Sequence, residues 1–336
     1  MADRLVTAFA PATVSNVACG FDVLGFALEA PGDEVSARFI GGREPSAGSA
    51  RSSTQNPPTA PVTLVRIDDI AGDGGRLPRE AARNTAGVAA HALLTALGER
   101  RGVALSIRKG LPLSSGLGGS AASAAAAVVA VDALLEARAS VEMLIQCALE
   151  GERLGAGSAH ADNIAPALCG GFVLARCASP PDIVHLPVPV GLTAVVVHPD
   201  LEIETARARA LLGDTVPLGD AVRQWANLGA LVHGLHRADF ALIGRALEDT
   251  VAEPRRASLV PGLAAIKRAA VDAGALGCSL SGSGPSLFAL CRDAKVAVTV
   301  AAAMRTAVRA EIGGDPQTYV SSIPAHGARV VSTCAS

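Results

Sequence analysis

The segment with the clearest chemical meaning is Leu111-Pro-Leu-Ser-Ser-Gly-Leu-Gly-Gly-Ser120, which runs directly into an alanine-rich stretch reaching about Ala137. Its glycines at 116, 118 and 119 let backbone N–H groups approach an anion with no side chain in the way. A helix beginning at this turn adds about half a unit of positive charge where a phosphate would sit. Ser120 stands at the start of that helix, where its hydroxyl caps the helix or turns towards a magnesium ion. An ordinary capped helix after a flexible turn uses the same residues, so the loop alone does not decide. No G-x-x-x-x-G-K-[ST] run is present, which disfavours a Walker-type nucleoside triphosphatase. Gly116, Gly118 and Ala121 fit the permissive dinucleotide pattern. Against that pattern, the loop is long, and the acidic residue at the right distance, Glu136, lies in a helical stretch.

The elements around this loop follow from periodicity. Val103, Leu105 and Ile107 alternate with Ala104, Ser106 and Arg108, predicting a strand that feeds the loop. Helical stretches are predicted at 83–97 and 141–154, and the pattern turns to β near Cys169-Gly-Gly-Phe-Val-Leu174. An N-terminal strand at Leu5–Ala10 leads into a turn at Ser15–Gly20. The second half mixes strands at 192–198, 276–280, 286–290 and 318–323 with helices near 204–212, 220–236, 261–273 and 295–312. Residues 41–61, rich in Gly, Pro, Ser and Thr, read as a surface excursion. Strands and helices do not alternate strictly, so the class is α+β. A boundary near residue 175 gives two domains, 1–174 and 175–336.

Composition narrows the function classes. A formal charge of −2, with scattered basic residues and no interleaved aromatics, argues against a nucleic-acid partner or an anionic membrane. The longest apolar run, Ala121–Leu135, is too short for a bilayer, which needs about 20 residues. Seven cysteines, an odd number without a C-x-x-C pair, fit a reducing cytoplasm better than a disulfide framework. Val17-Ala18-Cys19-Gly20 is close to a lipoprotein cleavage site, but polar residues interrupt any apolar segment before it. His233 and His236 have no third ligand nearby and read as surface residues.

Pro112-Leu-Ser-Ser-Gly-Leu-Gly-Gly-Ser-Ala-Ala122 resembles the phosphate loop of the GHMP kinases, usually P-x-x-x-G-L-G-S-S-A. Two further segments fall where that superfamily has its other signatures, Ala10-Pro-Ala-Thr-Val-Ser-Asn-Val-Ala-Cys-Gly-Phe-Asp22 and Leu280-Ser-Gly-Ser-Gly-Pro-Ser286. The resemblance implies a two-domain fold, with an N-terminal domain like domain 2 of ribosomal protein S5, a ferredoxin-like C-terminal domain and an active site between them. It implies ATP as co-substrate, held by Pro112, Leu113, Ser114, Ser115, Gly116, Leu117, Gly118, Gly119, Ser120, Ala121 and Ala122, with Asn84 near the adenine. Gly119 departs from the family pattern, standing where a serine is usual, while Ser120 keeps the position of the magnesium-contacting serine. Glu152 matches the acidic magnesium ligand, so Ser120 and Glu152 are the expected Mg2+ site.

Within the superfamily the chain is similar to the homoserine kinases. Gly20-Phe21-Asp22, His160-Ala-Asp162-Asn163-Ile-Ala-Pro-Ala-Leu-Cys-Gly-Gly171, Glu204-Thr205-Ala-Arg207-Ala-Arg209 and Glu253-Pro-Arg255-Arg256 carry that likeness. It implies homoserine as the small-molecule substrate, contacted by Asn16, Asp22, His160, Thr205, Arg209 and Arg256. It gives Asn163 the task of orienting the substrate hydroxyl. Asp162 lies near the place of the catalytic aspartate of other GHMP kinases, and whether it serves as a base stays open. A carboxylate suits an ammonium group, and two guanidinium forks suit a carboxylate. Another GHMP kinase acting on a different hydroxy acid, and a non-catalytic sensor on the same fold, are the competing expectations. A homodimer is the expected assembly.

Overall fold

Residues 4–40, 64–156 and 160–335 are described by the computed structural model. Alternation along the first strand sets the architecture. Val6, Ala8, Ala10, Ala12 and Val14 are all fully buried, so one face of β1 (Arg4–Ser15) points into the core. β1 pairs antiparallel with β2 (Leu24–Phe39). β4 (Val103–Arg108) continues the sheet beside β2, and β3 (Val65–Ala71) lies parallel to β4. The connection between that parallel pair carries α1 (Thr85–Ala96), as a crossover requires. Arg83, expected to open this helix, belongs to a separate 3-10 turn, because Asn84 accepts hydrogen bonds from the N–H groups of Ala86 and Gly87 and so caps α1.

α2 (Gly119–Leu135) is buried nearly all round, from Ala121 to Leu134. A helix that is apolar on every side must be enclosed, and its alanines let the sheet, α1, α3 (Val141–Ala156) and α4 (Ala161–Cys169) approach closely. α4 was not anticipated; it is short and contains Pro166. The sheet gathers strands from both sides of residue 175. β5 (Phe172–Ala178) pairs with β2, β6 (Pro181–Leu186) pairs with β5, and β11 (Arg329–Ala335) returns to pair with β1, giving seven strands among the described residues.

The second sheet has four antiparallel strands in the order β10-β7-β9-β8: β7 (Thr193–His198), β8 (Gly277–Leu280), β9 (Leu287–Cys291) and β10 (Gln317–Ser322). A long helical connection, α5 (Thr205–Ala210) to α9 (Leu263–Asp272), precedes the β8–β9 hairpin, and α10 (Ala294–Glu311) precedes β10. That is the ferredoxin-like split βαβ arrangement. Val195, Val197, Leu287 and Ala289 face α9 and α10, in a core with Ile266, Val300 and Met304. Val196, Phe288 and Leu290 alternate to the other face and join the core of the first domain. Phe288 packs edge-on against Phe26 at 5.9 Å, and Phe26 against Phe172 at 5.2 Å. The two domains therefore share apolar packing, which holds the cleft between them in register. No helix among the described residues is long and apolar enough to cross a membrane.

Candidate active site

The root of the glycine loop is fixed by a buried ion pair. Lys109, at the end of β4, contacts the Asp33 carboxylate on β2, and both side chains are almost fully enclosed. The Lys109 ammonium also donates to the Gly119 carbonyl at 2.7 Å and to Ser123 Oγ at 2.9 Å. Ser123 Oγ donates in turn to Asp33 Oδ2 at 2.7 Å, and Asp33 Oδ1 accepts from the N–H groups of Gly110 and Leu111. Such a network is costly to break, because removing one partner strands a buried charge, a loss of about 3–5 kcal/mol. It ties β2, β4 and the first turn of α2 into one rigid mount.

The three glycine-containing segments noted in the sequence meet on this mount. Gly116 adopts φ +76°, and a Cβ there would fall 2.4 Å from the Ser281 carbonyl oxygen. Ser281 Oγ uses the approach to donate to the Gly116 carbonyl at 2.7 Å, while Ser286 N–H donates to the Ser115 carbonyl. Gly118 adopts φ +67°, with Thr13 Oγ1 only 2.0 Å from where its Cβ would lie. The first segment thus lies against the loop, and Thr13 N–H donates to the Leu117 carbonyl. Gly119 is under no such compulsion. A Cβ there would meet Lys109 Nζ at 3.5 Å, an ordinary contact, so the serine usual in the GHMP pattern would fit.

The opposite end of the cleft is ionic. Arg209, on α5, donates to both oxygens of Asp22 at 2.7 and 3.0 Å. His160, the N-cap of α4, lies 2.8 Å from Arg209 through Nε2 and 3.4 Å from Asp22 through Nδ1. Burial lowers the His160 pKa, and the two nearby arginines, Arg209 and Arg256, add to that against the pull of Asp22. The imidazole is therefore a neutral hydrogen-bonding group at physiological pH. Arg256, on α8 (Glu253–Arg256), is only 3 % exposed and donates to the carbonyls of Ala208 and Gly282. The guanidinium groups of Arg209 and Arg256 each stand 5.4 Å from the Phe21 ring centroid. One carboxylate and two guanidinium groups are thus gathered around a single aromatic ring.

Between the two ends lie Asp162 and Asn163 at the start of α4. Asn163 Oδ1 accepts from Thr13 Oγ1 at 2.7 Å, and its amide donates to Ser15 Oγ at 3.0 Å, so its orientation is set by the first segment. Asp162 is 2 % exposed; Oδ2 accepts from Asn16 N–H at 3.2 Å, and Oδ1 is buried with no partner among the described residues. Burial first, and then the charge of Asp22, push its pKa up to about 7. Ser115 Oγ, Ser120 Oγ and Glu152 Oε2 are likewise buried and unpaired. Burial raises the Glu152 carboxyl, offset in part by Ser120 and Lys109. The Ser120 hydroxyl lies near enough to Glu152 to lower its carboxyl, yet neither Ser120 Oγ nor Glu152 Oε2 has a hydrogen-bond partner among the described residues. Unpaired buried oxygens are costly. Here they sit together in a cleft of about 610 Å³ that is lined by the glycine loop and by Asp22, His160, Arg209 and Arg256.

Residues 84–171 match the GHMP kinases N terminal domain and residues 231–310 the GHMP kinases C terminal domain. Homoserine kinases of Chlorobaculum tepidum and Chloroherpeton thalassium are 45 % and 44 % identical to the chain, each covering 98 % of it and 99 % and 100 % of their own length. The crystal structure of homoserine kinase from Cytophaga hutchinsonii superposes with a TM-score of 0.87 at 46 % identity, covering 97 % of both chains. This chain belongs to the homoserine kinase family of GHMP kinases.

Against the family pattern, the cleft takes in His160, Asp162, Asn163, Thr205, Arg209 and Arg256, together with Asn16, Asp22, Glu152 and Asn84. Of the phosphate-loop residues, Leu117, Ala121 and Ala122 are buried in the core and do not line it. Asn16 directs its side chain to the protein. Its Oδ1 accepts from Asp22 N–H at 3.0 Å and its amide donates to the Gly282 carbonyl at 2.7 Å. Both Asn16 and Asp22 hold left-handed backbone conformations, which Asn and Asp tolerate better than other residues. Asn84 is engaged as the cap of α1, and its amide donates to the Pro78 carbonyl. Asp33, Lys109 and Ser123 escaped the sequence reading. The available signal was a lone lysine at the end of a strand, immediately before the loop. The surface excursion at 41–61 lies outside the described residues.

Proposed function

We propose that the chain transfers the γ-phosphoryl group of ATP to the terminal hydroxyl of homoserine. The observation that carries this reading is the grouping of Asp22, Arg209 and Arg256 around Phe21, beside a phosphate loop. A zwitterion complements that grouping, its ammonium on Asp22 and its carboxylate on the two guanidinium groups. A hydroxy acid or sugar without an ammonium group would make no use of the Asp22 charge beyond its pair with Arg209.

The triphosphate lies along residues 112–120, where loop N–H groups, the α2 N-terminus and the unpaired Ser115 hydroxyl face it. Ser120 and Glu152 fit a magnesium ion, since both offer buried, unpaired oxygens. Bound there, the ion would neutralise charge on the phosphates. Asn163, braced by Thr13 and Ser15, and the neutral His160 orient the substrate hydroxyl. Phosphoryl transfer passes through a loose transition state in which positioning and electrostatics dominate. The hydroxyl proton therefore leaves late, and Asp162, with its free oxygen and a pKa of about 7, receives it.

The test is ATP turnover with homoserine, mevalonate, shikimate and galactose offered in turn. The reading expects homoserine to be preferred by orders of magnitude in kcat/KM. Turnover of one of the others, with none on homoserine, would refute it.

A further inference from the structure

We propose that Arg76 is a nucleotide-binding residue that, on ATP binding, exchanges its present partner Glu202 for the phosphates. The inference rests on the reading of the cleft as an ATP site and adds a contact that none of the family motifs supplies.

Arg76 lies on the connection between β3 and α1 in the first domain, and Glu202 on the connection between β7 and α5 in the second. Arg76 Nη1 bridges both Glu202 oxygens, at 2.8 and 2.9 Å, and both residues line the cleft. The pair closes over the loop itself, because the N–H of Ile203, the next residue, points at the Ser114 carbonyl at 3.4 Å. Arg76 is also presented by a built turn. The buried Asp73 carboxylate accepts from Gly75 N–H at 3.0 Å and Leu77 N–H at 2.9 Å, fixing the backbone on both sides of Arg76.

A triphosphate on this loop brings several negative charges beside Glu202. The inner cations among the described residues are committed: Lys109 to Asp33, Arg209 to Asp22, and Arg256 to two carbonyls. Arg83 also lines the cleft, but it faces Glu80 at 3.9 Å on its own turn. Among the described residues, the Arg76 side chain is held only by a solvent-exposed pair, with side-chain exposures of 50 % and 54 %. Exposed pairs contribute little and are screened by salt, so a phosphate with several charges displaces Glu202 readily. Arginine then binds phosphate oxygens through its planar fork.

The exchange predicts opposite effects at the two positions, whereas a simple strap between domains predicts the same effect at both. ATP affinity would be measured by calorimetric titration without homoserine, in wild type, Arg76→Ala, Glu202→Gln and the double variant, with melting temperatures as a folding control. Arg76→Ala is expected to raise the Kd for ATP roughly tenfold or more. Glu202→Gln should lower it, by freeing Arg76 and removing a repulsive charge. The double variant should recover only the part of the loss in Arg76→Ala that comes from the Glu202 charge, staying weaker than Glu202→Gln. The salt dependence of binding should flatten whenever Arg76 is lost. Equal weakening in both single variants, or an unchanged Kd in Arg76→Ala, would overturn the exchange. If the wild type bound no ATP at all, the reading of the cleft would fall and this inference with it.

Discussion

Replacing Asp162 with asparagine should make the protein more stable and less active, with a pH signature that identifies the cause. The carboxyl is 2 % exposed, and its pKa rises from the ordinary 3.8 to about 7, chiefly through burial. A raised pKa means that the folded protein holds this proton more tightly than the unfolded chain does. Below about pH 4 both states are protonated, and the group costs nothing. From there to about pH 7 the unfolded chain has lost its proton and the folded protein has not, so stability falls by about 1.4 kcal/mol per pH unit. Above that range both are ionised and the cost levels off, at a ceiling of about 4 kcal/mol for a three-unit shift. The substituted amide would stay neutral throughout, and its carbonyl oxygen could still accept from Asn16 N–H, the bond Asp162 makes now. Scanning calorimetry of the ligand-free protein from pH 4 to pH 8 gives the comparison. The two melting temperatures should coincide near pH 4 and separate steadily, with the variant roughly 5–10 °C higher at pH 8. Turnover at pH 8 should drop by roughly a hundredfold if Asp162 takes the hydroxyl proton. A constant gap at every pH, or a variant less stable at pH 8, would refute the electrostatic reasoning. Wild-type turnover across the pH range would exclude Asp162 as proton acceptor.

Asp22→Asn keeps the shape of the side chain but removes the charge that Arg209 now holds with two hydrogen bonds. The KM for homoserine should rise by roughly 10- to 200-fold, the worth of a charge-assisted contact, with the KM for ATP unchanged in steady-state assays. Glu152→Gln removes a buried carboxylate with an unpaired oxygen. The magnesium concentration giving half-maximal rate should rise at least roughly tenfold. Without magnesium, the melting temperature should hold or increase, because a buried charge is gone.

Local signals fell on local structure. Alternation located β4, which buries mainly one face. The strands expected at 192–198, 286–290 and 318–323 match β7, β9 and β10 to within a residue or two, although β7 and β9 are buried on both faces. The phosphate loop and α2 were legible from a glycine turn opening an alanine run. α4 was not, since nine residues interrupted by Pro166 give too little periodicity to read. β11 was missed because Val330 and Val331 are both exposed on its edge and no alternation marks it. The ionic mount was invisible for another reason. Asp33 and Lys109 stand 76 residues apart and become neighbours only through strand pairing, Glu34 lying opposite Arg108. Arg76 and Glu202, 126 residues apart, are joined by the docking of two domains. The motif residues could be picked out by type and spacing, yet what each touches depended on the fold. Asn16 shows this: its side chain accepts from Asp22 N–H and donates to the Gly282 carbonyl, contacts that its type and spacing did not reveal.

The central claim is that the ATP phosphoryl group reaches the homoserine hydroxyl and not water. Phosphorus NMR of the purified protein with ATP, magnesium and L-homoserine follows both fates of the γ-phosphate in one spectrum. The account predicts a phosphomonoester resonance coupled to the terminal methylene of homoserine, growing in step with ADP. ADP accompanied only by inorganic phosphate, or no ADP at all, would contradict it.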